Sequence, residues 1–129
     1  MAATILVVED DAAQRELLCE LLEEHGYACI AAEDGQRALD VIAGNRSPDA
    51  VVLDMVLPRL NGYEFLHELD ERGERKLRVV VVSGFGPVRR FAERFPLVRA
   101  VVQKPVEIDA LLQAVRSCVD AEATSSSAH

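Results

Sequence analysis

The sequence predicts an open α/β fold, a doubly wound parallel five-stranded sheet with helices on both faces. Five short apolar runs rich in β-branched residues recur along the chain, and each is nearly continuous rather than alternating, as strands covered on both faces require. Helical apolar patterns separate these runs, and a β-α alternation repeated five times is met by a parallel sheet with right-handed crossovers.

The first run is "TILVV" at 4–8. A helix should follow, with Asp11 as its N-cap, a stripe of Leu17, Leu18, Leu21 and Leu22, and Gly26 at its close. The second run, "YACIAA" at 27–32, precedes a helix over 35–44 carrying Ala38, Leu39 and Ile42. The third, "AVVLD" at 50–54, leads through Leu57-Pro58 and Asn61-Gly62, which read as a turn, into a helix over 61–72 with Phe65, Leu66 and Leu69. The fourth is "LRVVVV" at 77–82, followed by a short helix over 88–95 bracketed by Pro87 and Pro96. The fifth, "RAVVQ" at 99–103, is followed by a helix over 107–119 built on Ile108, Leu111, Leu112, Val115 and Val119. That helix should end near Asp120, so residues 1–120 form one domain, and "AEATSSSAH" at 121–129 reads as a disordered tail or linker stub.

The chain has 129 residues, half of them hydrophobic, enough for a core without metal or disulfide staples. Its three cysteines, Cys19, Cys29 and Cys118, are odd in number and scattered, and read as free thiols serving as small apolar residues in a reducing cytoplasm. The apolar run near the N-terminus meets carboxylates after five residues, too short for a signal-peptide core or a membrane span, so no membrane association is expected. The net charge of −8 is unevenly spread. Residues 72–104 carry +7, with nine Lys and Arg against two Glu, and the remainder carries −15. A basic face for an acidic protein partner fits this better than nucleic acid, whose backbone the acidic remainder would repel.

In parallel sheets of this kind the ligand site lies beyond the carboxyl ends of the strands. Those ends bring Glu9, Asp10 and Asp11 after the first run, Asp54 after the third, Ser83 after the fourth and Lys104 after the fifth. Each alone has a bland reading as a cap, a strand terminus or a solvated charge; their joint placement is what carries weight. Clustered carboxylates call for a cation, and oxygen-only ligands favour Mg²⁺. Zinc is disfavoured, because the cysteines and His25, His67 and His129 have no ligand spacing.

The motifs "ILVVEDD", "VVLDMVLPRLNG", "VVVSG" and "QKP", in this order, resemble the receiver domain of two-component response regulators, the chemotaxis-like group with a flavodoxin-like fold. The resemblance covers residues 4 to about 119. It implies strand order 2-1-3-4-5, Asp54 as phosphoacceptor, Asp10 as a direct Mg²⁺ ligand, Glu9 as a ligand through water, and the Val56 backbone carbonyl as a further ligand. Ser83 and Lys104 would then bind the phosphoryl oxygens, and the Lys104-Pro105 bond would be cis. It further implies a histidine kinase or histidine phosphotransfer domain as donor, an unidentified downstream protein partner, a cytoplasmic location, and no enzymatic role beyond self-phosphorylation and self-dephosphorylation.

The sequence departs from the family at Val101, where an aromatic switch residue is common, and at Val106, where Phe is common after "KP". With the fourth helix short, output through the usual dimer face is not expected; the chain should be a monomer or weak dimer whose partner interaction switches through the stretch after Ser83. Three other functions compete. A haloacid-dehalogenase phosphatase would need an Asp-x-Asp pair that Glu9-Asp10-Asp11 does not supply. A flavin carrier would need a phosphate-cradling loop where this chain is acidic. A degenerate receiver would bind partners without phosphorylation.

Overall fold

The computed structural model describes residues 2–44, 47–57, 60–74, 76–84, 90 and 93–127. Within them the chain forms β1 (Thr4–Val8), α1 (Ala12–Glu24), β2 (Ala28–Ala32), α2 (Gly35–Ala43), β3 (Ala50–Asp54), α3 (Gly62–Glu71), β4 (Val79–Ser83), β5 (Val98–Gln103) and α4 (Ile108–Ser127). The strands make one all-parallel sheet in the order β2-β1-β3-β4-β5, as the resemblance implied. The switch in order falls between β1 and β3, which pair side by side from Ile5↔Ala50 to Val8↔Leu53.

The continuous apolar strands are explained by the two cores they serve. Leu6, Val8, Val51, Leu53, Val79 and Val81 face α2 and α3, whose Ala38, Leu39, Ile42, Phe65, Leu66 and Leu69 complete that layer. Ile5, Val7, Val52, Val80 and Val82 face the opposite side, against Leu18 and Leu22 of α1 and Leu111, Leu112 and Val115 of α4. Successive residues of a strand point to opposite faces, so a sheet sheltered twice must be apolar at every position. Full burial of side chains such as Phe65, Leu66 and Leu69 contributes about 1.5–3 kcal/mol each.

Helix ends follow local chemistry. Asp11 caps α1 by accepting from the Gln14 amide at 2.9 Å, and Asp34 caps α2 through the Arg37 amide at 2.8 Å. After α1 the chain turns at Gly26, whose φ of +90° lies in the left-handed region that glycine enters without a Cβ clash.

Several expectations are corrected. The α1 stripe is narrower than its four leucines suggest: Leu18 and Leu22 are buried, but Leu17 is 55 % exposed, because the helix rests on the sheet along one edge. Asn61-Gly62 is the start of α3 rather than a free turn. The Asn61 side chain accepts from the Glu64 amide and the Glu64 side chain accepts from the Asn61 amide, a reciprocal cap. The final helix runs to Ser127 instead of ending near Asp120, since no glycine or proline intervenes to stop it. Half of the short helix expected over 88–95 lies outside the described residues; 93–97 form turns and a bend. The Lys104-Pro105 peptide, by contrast, is cis as the resemblance implied.

Candidate functional site

Three strand ends and the loops after them converge on one rim. Glu9 follows β1, Asp54 ends β3 and Ser83 ends β4, and all three are buried, with exposures of 5–6 %. Asp10 is exposed beside them. Carboxylate oxygens of Glu9, Asp10 and Asp54 all lie within 4.8 Å of one another. Among the described residues this is the only cluster of carboxylate, thiol and imidazole groups able to hold a metal ion.

Two groups fix the Asp54 carboxylate. The Val56 amide donates to Oδ1 at 3.0 Å, and Lys104 Nζ donates to Oδ2 at 3.2 Å. Val56 is otherwise turned outward, with 66 % of its surface exposed. Lys104 is brought in from β5 across β4, where its amide donates to the Ser83 carbonyl at 2.8 Å, so the Ser83 and Lys104 backbones are locked side by side.

The acidic loop has its own support. Arg15, one turn into α1, donates through Nη1 to the carbonyls of Glu9 and Asp10 at 2.9 and 3.3 Å. Sequence reading missed Arg15; its only signal was an arginine one helical turn past an acidic strand end. Asp11 turns away to cap α1, so of the three consecutive acids only Glu9 and Asp10 face the cluster.

The electrostatics of the cluster are set by the crowding of its carboxylates. Burial, followed by the hydrogen bond and charge of Asp54, pushes the Glu9 carboxyl up to about 7. A proton shared among crowded carboxylates is the alternative to a bound cation. The donor set is oxygen only, mixes buried and exposed carboxylates, and leaves one side open to water, which fits a hard divalent ion of the magnesium type rather than a soft metal.

Beside the acidic groups lies a cavity of about 380 Å³ between α1 and the chain entering α4, lined by Leu17, Leu21, Pro105, Val106 and Ile108. Of the basic stretch over 72–104, Arg72 is paired with Glu68 at 3.1 Å, while Arg75 and Arg89 lie outside the described residues. No described helix is long and apolar enough to cross a bilayer.

The sequence matches the family profile described as "Response regulator receiver domain" over residues 5–116. It is 39 % identical over 117 residues to the response regulator MprA of Mycobacterium sp. strain KMS, covering 91 % of this chain and 50 % of that protein. The chain thus spans about half the length of the curated relatives it matches. Among solved structures, NtrX from Brucella abortus superposes with a TM-score of 0.85 at 29 % identity, over 99 % of this chain and 29 % of that one. The Francisella response regulator 1452 receiver domain superposes with a TM-score of 0.82 over 92 % of this chain and 97 % of that one, a likeness of fold at 24 % identity. With the sheet order, the acidic cluster and the profile match in agreement, the chain belongs to the response regulator receiver domain family of two-component signalling.

Proposed function

We propose that Asp54 is a phosphoacceptor, taking a phosphoryl group from the phosphohistidine of a histidine kinase or histidine phosphotransfer domain in a Mg²⁺-dependent reaction. The observation that carries this reading is the Asp54 carboxylate itself, buried at a strand end, held at both oxygens by Val56 and Lys104, and crowded by Glu9 and Asp10. A buried carboxylate oriented in this way serves as a nucleophile.

Asp10, Asp54 and the Val56 carbonyl would hold the ion directly, with Glu9 acting through water. When bound, the ion supplies neutralisation of the phosphoryl oxygens and of the carboxylates. The chain's own residues do the rest. Asp54 attacks phosphorus and forms an acyl phosphate, and the donor nitrogen leaves with the electron pair of the broken P–N bond. Lys104, released from its carboxylate partner, follows the charge onto the phosphoryl oxygens, and the Ser83 hydroxyl donates to another of them.

On this reading the chain acts as a phosphoacceptor, with no enzymatic role beyond self-phosphorylation and self-dephosphorylation, and the apolar cavity flanking Asp54 offers a surface to a protein donor. A cytoplasmic setting accords with the three free thiols. The signal would leave through the stretch after Ser83 to a protein partner, with the chain a monomer or weak dimer.

Intact-mass analysis after incubation with acetyl phosphate and Mg²⁺ tests this. One alkali-labile phosphoryl group is expected on the native chain, and none on Asp54→Asn or in chelator. Phosphorylation of Asp54→Asn at the native level would rule the assignment out.

A further inference from the structure

Cys19 stands on α1 and Cys29 on β2, an edge strand of the sheet, and the Cys29 thiol donates to Cys19 Sγ across 2.8 Å. Both residues are partly exposed, at the margin of the core against which they pack. The third cysteine, Cys118, sits in the core between α4 and the sheet at 1 % exposure. Two thiols in contact at a protein's edge, with a third sealed away, make an asymmetric arrangement that apolar packing alone does not require: a serviceable core cysteine looks like Cys118.

We propose that Cys19 and Cys29 are a redox modification site, forming a reversible intramolecular disulfide when the protein meets a peroxide. The sulfurs need to close by less than an ångström to reach the bonded distance of about 2.05 Å.

The pair is also divided in role. The hydrogen bond from Cys29 lowers the Cys19 thiol below its ordinary value, helped by the Arg15 guanidinium and opposed by burial and by Glu23. The same bond, with burial, raises Cys29. Cys19 is therefore the sulfur that attacks, since the thiolate is the nucleophile, and Cys29 is the one that resolves.

The chemistry balances with peroxide as the oxidant. The Cys19 thiolate attacks one peroxide oxygen, the O–O bond breaks, and the departing hydroxide takes a proton to leave as water, with a sulfenic acid on Cys19. Cys29 then attacks that sulfur, the S–O bond breaks, and hydroxide leaves with the Cys29 proton as a second water. Two thiols lose two electrons, and one peroxide becomes two waters. A dithiol reductant reverses the bond by exchange.

The bridge would tie α1 to β2. Because α1 is capped by Asp11 and carries Arg15, which donates to the Glu9 and Asp10 carbonyls, the tie would anchor the helix that shapes the acidic loop. The oxidation itself does not depend on Asp54 being a phosphoacceptor, so the two readings fail separately.

The reduced full chain, treated with a small excess of hydrogen peroxide at neutral pH, should drop from three free thiols to one, lose about 2 Da, and yield a Cys19–Cys29 linked peptide that dithiothreitol reverses. Cys29→Ser should stop at a sulfenic acid on Cys19 that dimedone traps. Cys19→Ser should react at least about tenfold more slowly. Circular dichroism of both variants establishes that they fold. Retention of all three thiols, linkage between molecules instead of within one, or a Cys19→Ser variant oxidised as fast as the native chain would overturn the proposal.

Discussion

Lys104 Nζ lies 3.2 Å from Asp54 Oδ2, joining the ends of two strands that are fifty residues apart in the chain and separated in the sheet by β4. The side chain of Asp54 is only 7 % exposed and that of Lys104 is 38 % exposed. The pair is thus half-sheltered, and Lys104 contacts one member, Asp54, of a cluster of three carboxylates.

Replacing Lys104 with Met should therefore cost stability in chelator at neutral pH. A fully buried pair broken on one side costs several kcal/mol and an exposed one almost nothing, so a half-exposed lysine is expected to cost about 1–2 kcal/mol. Urea denaturation of Lys104→Met against the native chain reads this directly. Equal midpoints would show that the contact contributes nothing to the fold.

The metal-free protein should become less stable as pH rises from about 4.5 to about 7. Glu9 holds its proton more tightly folded, near 7, than unfolded, at 4.5, so its contribution is fully present below 4.5 and is lost as pH rises through the folded value. The loss should be readable as a falling urea midpoint across that window. Glu9→Gln should flatten the profile over that window, and saturating Mg²⁺ should do the same for the native chain by favouring the carboxylate. Urea midpoints at pH 5, 6, 7 and 8 in chelator, unchanged across the series, would contradict the assignment.

Asp10→Ala and Asp10→Lys should abolish the thermal shift produced by Mg²⁺ while leaving the melting temperature in chelator unchanged or slightly higher. Asp10 is exposed and adds a like charge to the cluster, so its removal relieves repulsion worth up to about 0.5 kcal/mol. At ten times the dissociation constant the ion should stabilise the native chain by about 1.4 kcal/mol and the variants not at all. A clear drop in the melting temperature of Asp10→Ala in chelator would count against this account.

Gly62→Ala should destabilise the fold by about 1–3 kcal/mol. A Cβ at this position would stand 2.6 Å from both Cα and Sδ of Met55, the residue that follows Asp54, and the backbone carbon cannot swing aside. The displacement should reach the site, so phosphodonor uptake should fall along with stability. A variant as stable as the native chain would show that the loop after β3 yields more readily than its packing suggests.

Beryllofluoride with Mg²⁺, a mimic of the phosphoryl group, should change amide-exchange protection mainly over 83–96 and much less over 107–119. An anion at Asp54 offers the buried Ser83 a strong acceptor, and "GFGP" follows it with two glycines able to absorb a backbone change. Sedimentation should show no tight dimer induced by the mimic. A stable dimer, or changes centred on α4, would move the output face elsewhere.

The sequence by itself determined the sheet and the identity of the rim residues. Strands buried on both faces must be apolar at every position, which makes runs such as "VVVV" at 79–82 unmistakable, and a parallel sheet collects the residues after each strand at one edge, so Glu9, Asp10, Asp54, Ser83 and Lys104 could be named before any coordinates. Where a feature depends on which face of a helix meets the sheet, the linear pattern was not enough. Leu17 and Leu18 are chemically equivalent in the chain, and only docking of α1 leaves one exposed and buries the other. Arg15 gained its role from the same docking, which aims its guanidinium back at the carbonyls of the acidic loop. The cysteines divide for the same reason: an α1 residue and an edge-strand residue ten positions apart come into contact, while Cys118 is closed into the core, because contact between sulfurs is a property of packing that no spacing along the chain encodes.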